Sequence, residues 1–255
     1  MNSVQSVPAQ ERTPAPAGKA LPRWAGWLSI LQGLLIFVPM IVLGAAINWP
    51  ESLSDPASIA LPRLLENEDA VRLGYVTYLL YSVLFAVTII ALLRYVKSRH
   101  AIGLGSLIAG FAIASTVARC IGIIRWLVPA PALAEAWAAT SDETERTAIA
   151  VVFDSLNSYG GTIGEVLGVS IFAAISIGLL SIAALRSRAF PVWIGVFGLV
   201  AALAVLATAI ELLGADASSL IFFGTTLVQL WFLATGLWLL VRGTRQSPSP
   251  AGISG

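Results

Sequence analysis

Six long apolar stretches alternate with polar connections along the chain: Trp24 to Asn48, Gly74 to Val96, Ala101 to Val128, Thr162 to Leu185, Pro191 to Leu213 and Ser219 to Val241. At about 1.5 Å of rise per residue, each is long enough to cross about 30 Å of hydrocarbon as a helix. The first follows a basic residue, Arg23, as a secretory leader would. Its apolar run exceeds the roughly 7–15 residues of such leaders, and Ala45-Ala46 runs into Asn48-Trp49-Pro50 without a cleavage pattern, so it reads as an uncleaved first span. The pattern predicts an all-α integral membrane bundle of six transmembrane helices over residues 23–242. Residues 1–22 and 243–255 are rich in Pro, Ala, Ser and Gly, have few large apolar side chains to offset ordering entropy, and are expected to be disordered tails.

Cations set the orientation, because Lys and Arg stay on the cytoplasmic side. Lys19, Arg23, Arg94, Lys97, Arg186, Arg188 and Arg242 fall on one side, whereas Glu51, Asp55, Glu66, Glu68, Glu135, Asp142, Glu143 and Asp216 fall on the other. Arg63, Arg72 and Arg146 are the exceptions. Both termini are therefore expected to be cytoplasmic. The inner connections are short, one of them holding His100, and two outer ones are long. The first, Glu51 to Leu73, carries Ile59, Leu61, Leu64 and Leu65 and fits a partly helical interfacial cap; the second runs from Pro129 through an acidic segment, Ser141 to Glu145, and both leave room for extra interfacial helices.

Composition supports this picture. The chain has 255 residues, 57% hydrophobic and 11% charged, against about 25% charged for soluble domains. A net charge of +1 provides no field to draw nucleic acid, so the lipid bilayer and not nucleic acid is the expected partner. One cysteine, Cys120, excludes an intrachain disulfide, and one histidine cannot build a multi-histidine metal or bis-histidine haem site, so no cofactor is expected.

Small residues suggest how the bundle closes. Ser106, Gly110, Ala114 and Ala118 recur along the third span, and Gly160, Gly164 and Gly168 along the fourth, as in helices that approach closely. The sequence predicts that these two stripes meet.

Five ionisable residues sit in or at the ends of apolar segments: Arg119, Arg125, Asp154, Glu165 and Glu211. A charge is costly in hydrocarbon, about 2.5–3.5 kcal/mol at a helix centre, so each should face protein or water. Counted from the basic ends, Arg119 lies about 27 Å along span three, and Glu165 and Glu211 about 30 Å along spans four and five. Three helices thus carry a charge at one level. Asp154, Ser158, Gly161 and Glu165 fall on one line if the helix is continuous, at about 100° per residue, with Asn157 one step aside. Gly160-Gly161 leaves open whether Ala148 to Tyr159 continues span four or forms a separate interfacial helix. Tyr75, Tyr78 and Ser82 of span two make another outer stripe, placed to wall the same cavity with hydroxyls.

One reading of these charges is ion pairs that only hold helices in register. The other follows from their count: three carboxylates against two guanidiniums leave an acid either protonated or available to a cation or an amine. The guanidiniums alternatively clamp a carboxylate or phosphate. The candidate ligand-binding residues are Arg119, Arg125, Asp154, Asn157, Glu165, Glu211, Tyr75 and Tyr78.

The succession ARCIGIIRWLVP, an acidic loop, FDSLNSYGGTIGEVLG and a basic turn with RSRAFPVWIG resembles an uncharacterised family of bacterial multi-pass membrane proteins, a domain of unknown function. The resemblance covers roughly Trp24 to Val241 and implies a compact helical bundle in a bacterial cytoplasmic (inner) membrane, with matching positions Arg119, Arg125, Asp154, Gly164 and Glu165. It implies no activity. The first functional expectation is a binding protein, receptor-like or a small transporter, with an outward-facing charged pocket for a small polar ligand or lipid head group. The cytoplasmic half shows no ionisable residue inside the spans, which favours binding over transport. The alternatives are a structural or regulatory membrane subunit, and an intramembrane enzyme using Glu165 or Asp154 as general base but lacking a histidine partner. The sequence leaves open a homo-oligomer.

Overall fold

The computed structural model describes residues 20–97, 103–215 and 217–245, all helices and turns. Six helices are long and apolar enough to cross a membrane: Pro22–Ile47, Glu68–Lys97, Gly105–Ala139, Glu143–Ser187, Val192–Leu213 and Leu220–Arg242. This is an all-helical bundle of the kind expected of a multi-pass membrane protein. Helix reaches beyond the predicted tail boundaries, from Ala20 and up to Arg245; the rest of both tails, His100 and Asp216 lie outside the described residues.

The first span consists of α1 (Ala20–Leu35) and α2 (Phe37–Ile47). Pro39 has no N–H for the carbonyl of Leu35, which accounts for the interruption. Asn48 ends α2 with φ of 57°, a left-handed conformation that asparagine tolerates better than most residues. A single-turn helix, Glu51–Ser54, and α3 (Ala57–Glu66) follow, and α4 (Glu68–Lys97) is the second span. The predicted cap is thus helical, but its last residues belong to α4.

The third span, α5 (Gly105–Leu127), continues almost directly into α6 (Pro129–Ala139). Proline is preorganised for the first turn of a helix, so Pro129 starts α6, an extra helix in the second outer connection. Only residues 140–142 separate α6 from α7 (Glu143–Gly161). Asp142 caps α7 by accepting from the N–H groups of Thr144 at 2.7 Å and Glu145 at 3.3 Å. From there one 45-residue helix runs to Ser187. Gly160-Gly161 does not break it, so Ala148 to Tyr159 is a continuation of span four. Its 12-residue middle, Thr162–Ala173, is wound as a π-helix before α8 (Ala174–Ser187). At about 67 Å, this rod is more than twice the hydrocarbon thickness, so α7 stands largely beyond it. α9 (Val192–Ala207) ends in the tight turn Thr208–Leu213, closed by Gly214 at φ of 80°, and α10 (Ser218–Arg245) is the sixth span.

Two apolar clusters organise the packing. One gathers Leu92, Val96, Ile108, Leu180, Ile194 and Leu239 towards the end of the bundle that carries Arg94, Lys97, Arg186 and Arg242, the basic end. The other, at the acidic end, joins Leu43, Leu61, Leu64, Tyr75, Trp126 and Phe153 and seats α3, α6 and α7 on the spans. Leu61 and Leu64 are fully buried there, each worth about 1.5–3 kcal/mol relative to an exposed position.

Spans three and four do meet through small residues, but only at the far part of the predicted stripe, Ala118, and its continuation at Gly122. Ser106 and Gly110 are exposed, and nothing lies near Gly110. The contact is made by Ser115, Ala118 and Gly122. A Cβ on Gly122 would come within 2.7 Å of the Gly164 Cα, and the Ser115 hydroxyl donates to the Gly168 carbonyl at 2.7 Å. Backbones this close exclude any side chain.

Candidate functional site

The close approach of α5 to the fourth span determines where Arg125, in the last turn of α5, can go. Its side chain lies across Gly160 and Gly161, where a Cβ on Gly160 would meet the Arg125 Cδ at 2.8 Å. The glycine pair makes room for the guanidinium. Arg125 is buried, and all three of its nitrogens donate: Nε to Asn157 Oδ1 at 3.2 Å, Nη1 to the Gly122 carbonyl at 2.7 Å, and Nη2 to Glu165 Oε1 at 3.4 Å. Asn157 in turn donates through Nδ2 to the Leu53 carbonyl at 2.8 Å. One guanidinium and one amide therefore tie α5, α7, the π-helix and the Glu51–Ser54 turn together.

Beside this cluster lies a cavity of about 600 Å³. Arg125, Asp154, Asn157, Glu165 and Glu211 line it, with Ser158, Gly161 and Thr162 on the same helix and Leu53 to Pro56 opposite. The line Asp154, Ser158, Gly161 and Glu165 thus faces the cavity as one stripe. Glu211 is brought in by the Thr208–Leu213 turn, which is held to span four by a hydrogen bond of 2.5 Å between the hydroxyls of Ser170 and Thr208. Ser170 also donates to the Glu165 carbonyl at 3.2 Å. π-Helical turns recur at functional sites, and here one presents Glu165.

The charges on the wall are unequal. Asp55, Asp154, Glu165 and Glu211 face one guanidinium, that of Arg125. Asp55 is held by Arg63 at 2.7 Å. Asp154 is exposed and makes no ion pair among the described residues, while the Glu165 side chain remains 45% exposed.

Three of the eight candidate residues lie elsewhere. Arg119 is buried off the cavity wall, its guanidinium 4.8 Å from the Tyr81 ring centroid and 5.2 Å from that of Phe85, with Nε unpartnered. The ion pair to Glu165 is made by Arg125 and not by Arg119. Six residues separate Arg119 from Arg125, and at about 100° per residue they diverge by about 120°; sharing a depth did not mean sharing a direction. Tyr75 is buried and stacks on Trp126 at 5.3 Å, its hydroxyl unpartnered, and Tyr78 packs edge-on against Trp49 at 6.0 Å. Neither tyrosine lines the cavity.

Sequence reasoning missed the contribution of Leu53 to Pro56. That turn reaches the cavity through a contact with Asn157 that spans 104 residues of chain, and no local pattern announces it. The role of Gly160-Gly161 as the bed of Arg125 was hidden in the same way, although the glycine pair itself was visible.

No curated protein and no solved structure matches the chain. A family model described as Domain of unknown function (DUF4386) matches residues 24–243, the whole six-span bundle, and the chain belongs to that family.

Proposed function

We propose that this chain is a membrane binding protein, receptor-like or a small transporter, that holds a small polar ligand or lipid head group in its acidic-end cavity. It sits in a bacterial cytoplasmic membrane with both termini cytoplasmic and the cavity facing outwards, an orientation supported by the cations clustered at the basic end. The carrying observation is the cavity itself, about 600 Å³ with charged side chains converging from the end of α5, from α7, from the π-helix and from the Thr208–Leu213 turn. A concave site with a few convergent polar groups is the ordinary form of a ligand pocket. Among the described residues, the only buried charged side chains are Arg119 and Arg125, both on α5. Among the described residues no buried charge lies between Arg119 and the basic end, which favours binding over passage.

The second reading, a structural or regulatory subunit, is supported by the Arg125, Asn157 and Glu165 network, which fastens four segments whether or not anything binds. A thermal-shift screen of the purified chain against metabolites, amines and lipid head groups separates the two. Stabilisation by a ligand that disappears in Glu165→Gln supports the pocket. A broad panel without a hit, together with a lower melting temperature in Glu165→Gln, supports the subunit.

A further inference from the structure

The geometry points to a primary ammonium, carried on the head group of a membrane lipid, as what the cavity takes. This inference rests on the reading of the cavity as a ligand site. The sign comes from which charges are already engaged. Three of the five N–H groups of Arg125 donate within the protein, to Asn157, Gly122 and Glu165, and the residue is 8% exposed, so what it offers an incoming anion is limited. Asp55 is taken by Arg63. What the wall presents outwards is the exposed carboxylate of Asp154 and the half-exposed one of Glu165, which holds Arg125 only at 3.4 Å. Both stand on one helical stripe with the Ser158 hydroxyl between them. A primary ammonium, with three donors, matches such a row of acceptors; a quaternary ammonium has no donor to give.

The carrier follows from where the cavity opens. Counted from the observed starts of α5 and α9, at Gly105 and Val192, Arg125 and Glu211 lie about 30 Å along their spans, the level at which hydrocarbon gives way to head groups. Leu212 lines the cavity on the span-five side, and its neighbours Ile210 and Leu213 are exposed, Leu213 at 85%. On a membrane-spanning segment such side chains face acyl chains. A lipid can thus seat its amine among the carboxylates while its tails lie along span five without crossing a polar wall.

The test uses the full-length chain in detergent with four probes: phosphatidylethanolamine, phosphatidylcholine, phosphatidylglycerol and free ethanolamine, read by melting temperature and by native mass spectrometry. Phosphatidylethanolamine is expected to raise the melting temperature and to bind at least about ten-fold more tightly than the other two lipids. Asp154→Asn, at an exposed position that makes no ion pair among the described residues, is expected to remove that preference. Free ethanolamine stabilising as well as the lipid overturns the lipid carrier and keeps the ammonium. Phosphatidylglycerol or phosphatidylcholine binding as well as phosphatidylethanolamine, with binding weakened in Asp154→Asn, overturns the ammonium and leaves the pocket standing. Absence of binding by all four, alongside an empty metabolite screen, overturns both.

Discussion

The basic and acidic ends of the bundle are made from the same six spans and held together by different forces. Towards the basic end Leu92, Val96, Leu180, Ile194 and Leu239 fill the interior. The Ser29 hydroxyl there turns to the Ala25 carbonyl at 2.8 Å, whereas those of Ser176, Ser181 and Thr235 are buried without a hydrogen-bond partner. At the acidic end the helices are propped by Arg125 and Asn157, and the space beside the props stays open. A filled interior has no room for a ligand, whereas charged groups that must keep their hydrogen bonds hold helices apart and leave polar atoms facing the gap. On the proposed reading, the charges in this membrane protein mark the part that accepts a ligand, and the apolar end serves as its anchor.

The most severe way to break this arrangement is at the approach of α5 to the fourth span. Gly122→Leu drives a side chain into the Gly164 backbone, which cannot yield. It is expected to abolish the monodisperse species on size exclusion and to remove both ends' properties together. Truncation at the filled end should affect stability alone. Leu180→Ala is expected to cost about 2–5 kcal/mol, seen as a lower melting temperature in detergent, with ligand stabilisation unchanged. Arg125→Ala takes the prop away and leaves Asn157, Glu165 and the Gly122 carbonyl without their donor. About 2–3 kcal/mol of stability should go, and ligand stabilisation with it, which distinguishes this variant from Leu180→Ala.

Glu165→Gln separates stability from binding at the acidic end. Its bond to Arg125 is long and half-exposed, so less than about 1 kcal/mol of stability is at stake. Ligand-induced stabilisation should nevertheless vanish, and a variant that kept it would move the binding role away from this carboxylate. The smallest effect is expected at the start of α7. Hydrogen bonds from the Thr144 and then the Glu145 N–H hold the Asp142 carboxyl below its usual range. A depressed value in the folded state means the cap acts fully above the ordinary aspartate pKa and is lost as pH falls through the lowered one. The protection factor of the amides in the first turn of α7, measured against their intrinsic exchange rate, should therefore fall only in acid, and Asp142→Ala should show the low protection at neutral pH.

The spans were readable because each is a long apolar run, and in lipid such a run has only the helix open to it. The stripe from Asp154 to Glu165 was readable too, since it needs nothing beyond helical periodicity in one continuous element. Arg119 was misplaced because depth follows from counting residues, whereas direction depends on which neighbour the helix face meets. The small-residue contact was displaced along the helix: one stripe runs from Ser106 through Ala118 to Gly122, and only the packing with Gly164 selects its Ala118 and Gly122 end over Ser106 and Gly110. The share of Asp55 and Leu53 in the site was invisible, because they join it from a distant part of the chain.

From the sequence alone came the number of spans, the uneven distribution of charge between the two ends and the choice of charged residues at the acidic one. These are local properties, determined by side-chain chemistry and helical pitch. Which guanidinium turns into the cavity and which into aromatic rings was decided only when the helices met. A helix presents several faces, and its neighbours alone choose among them.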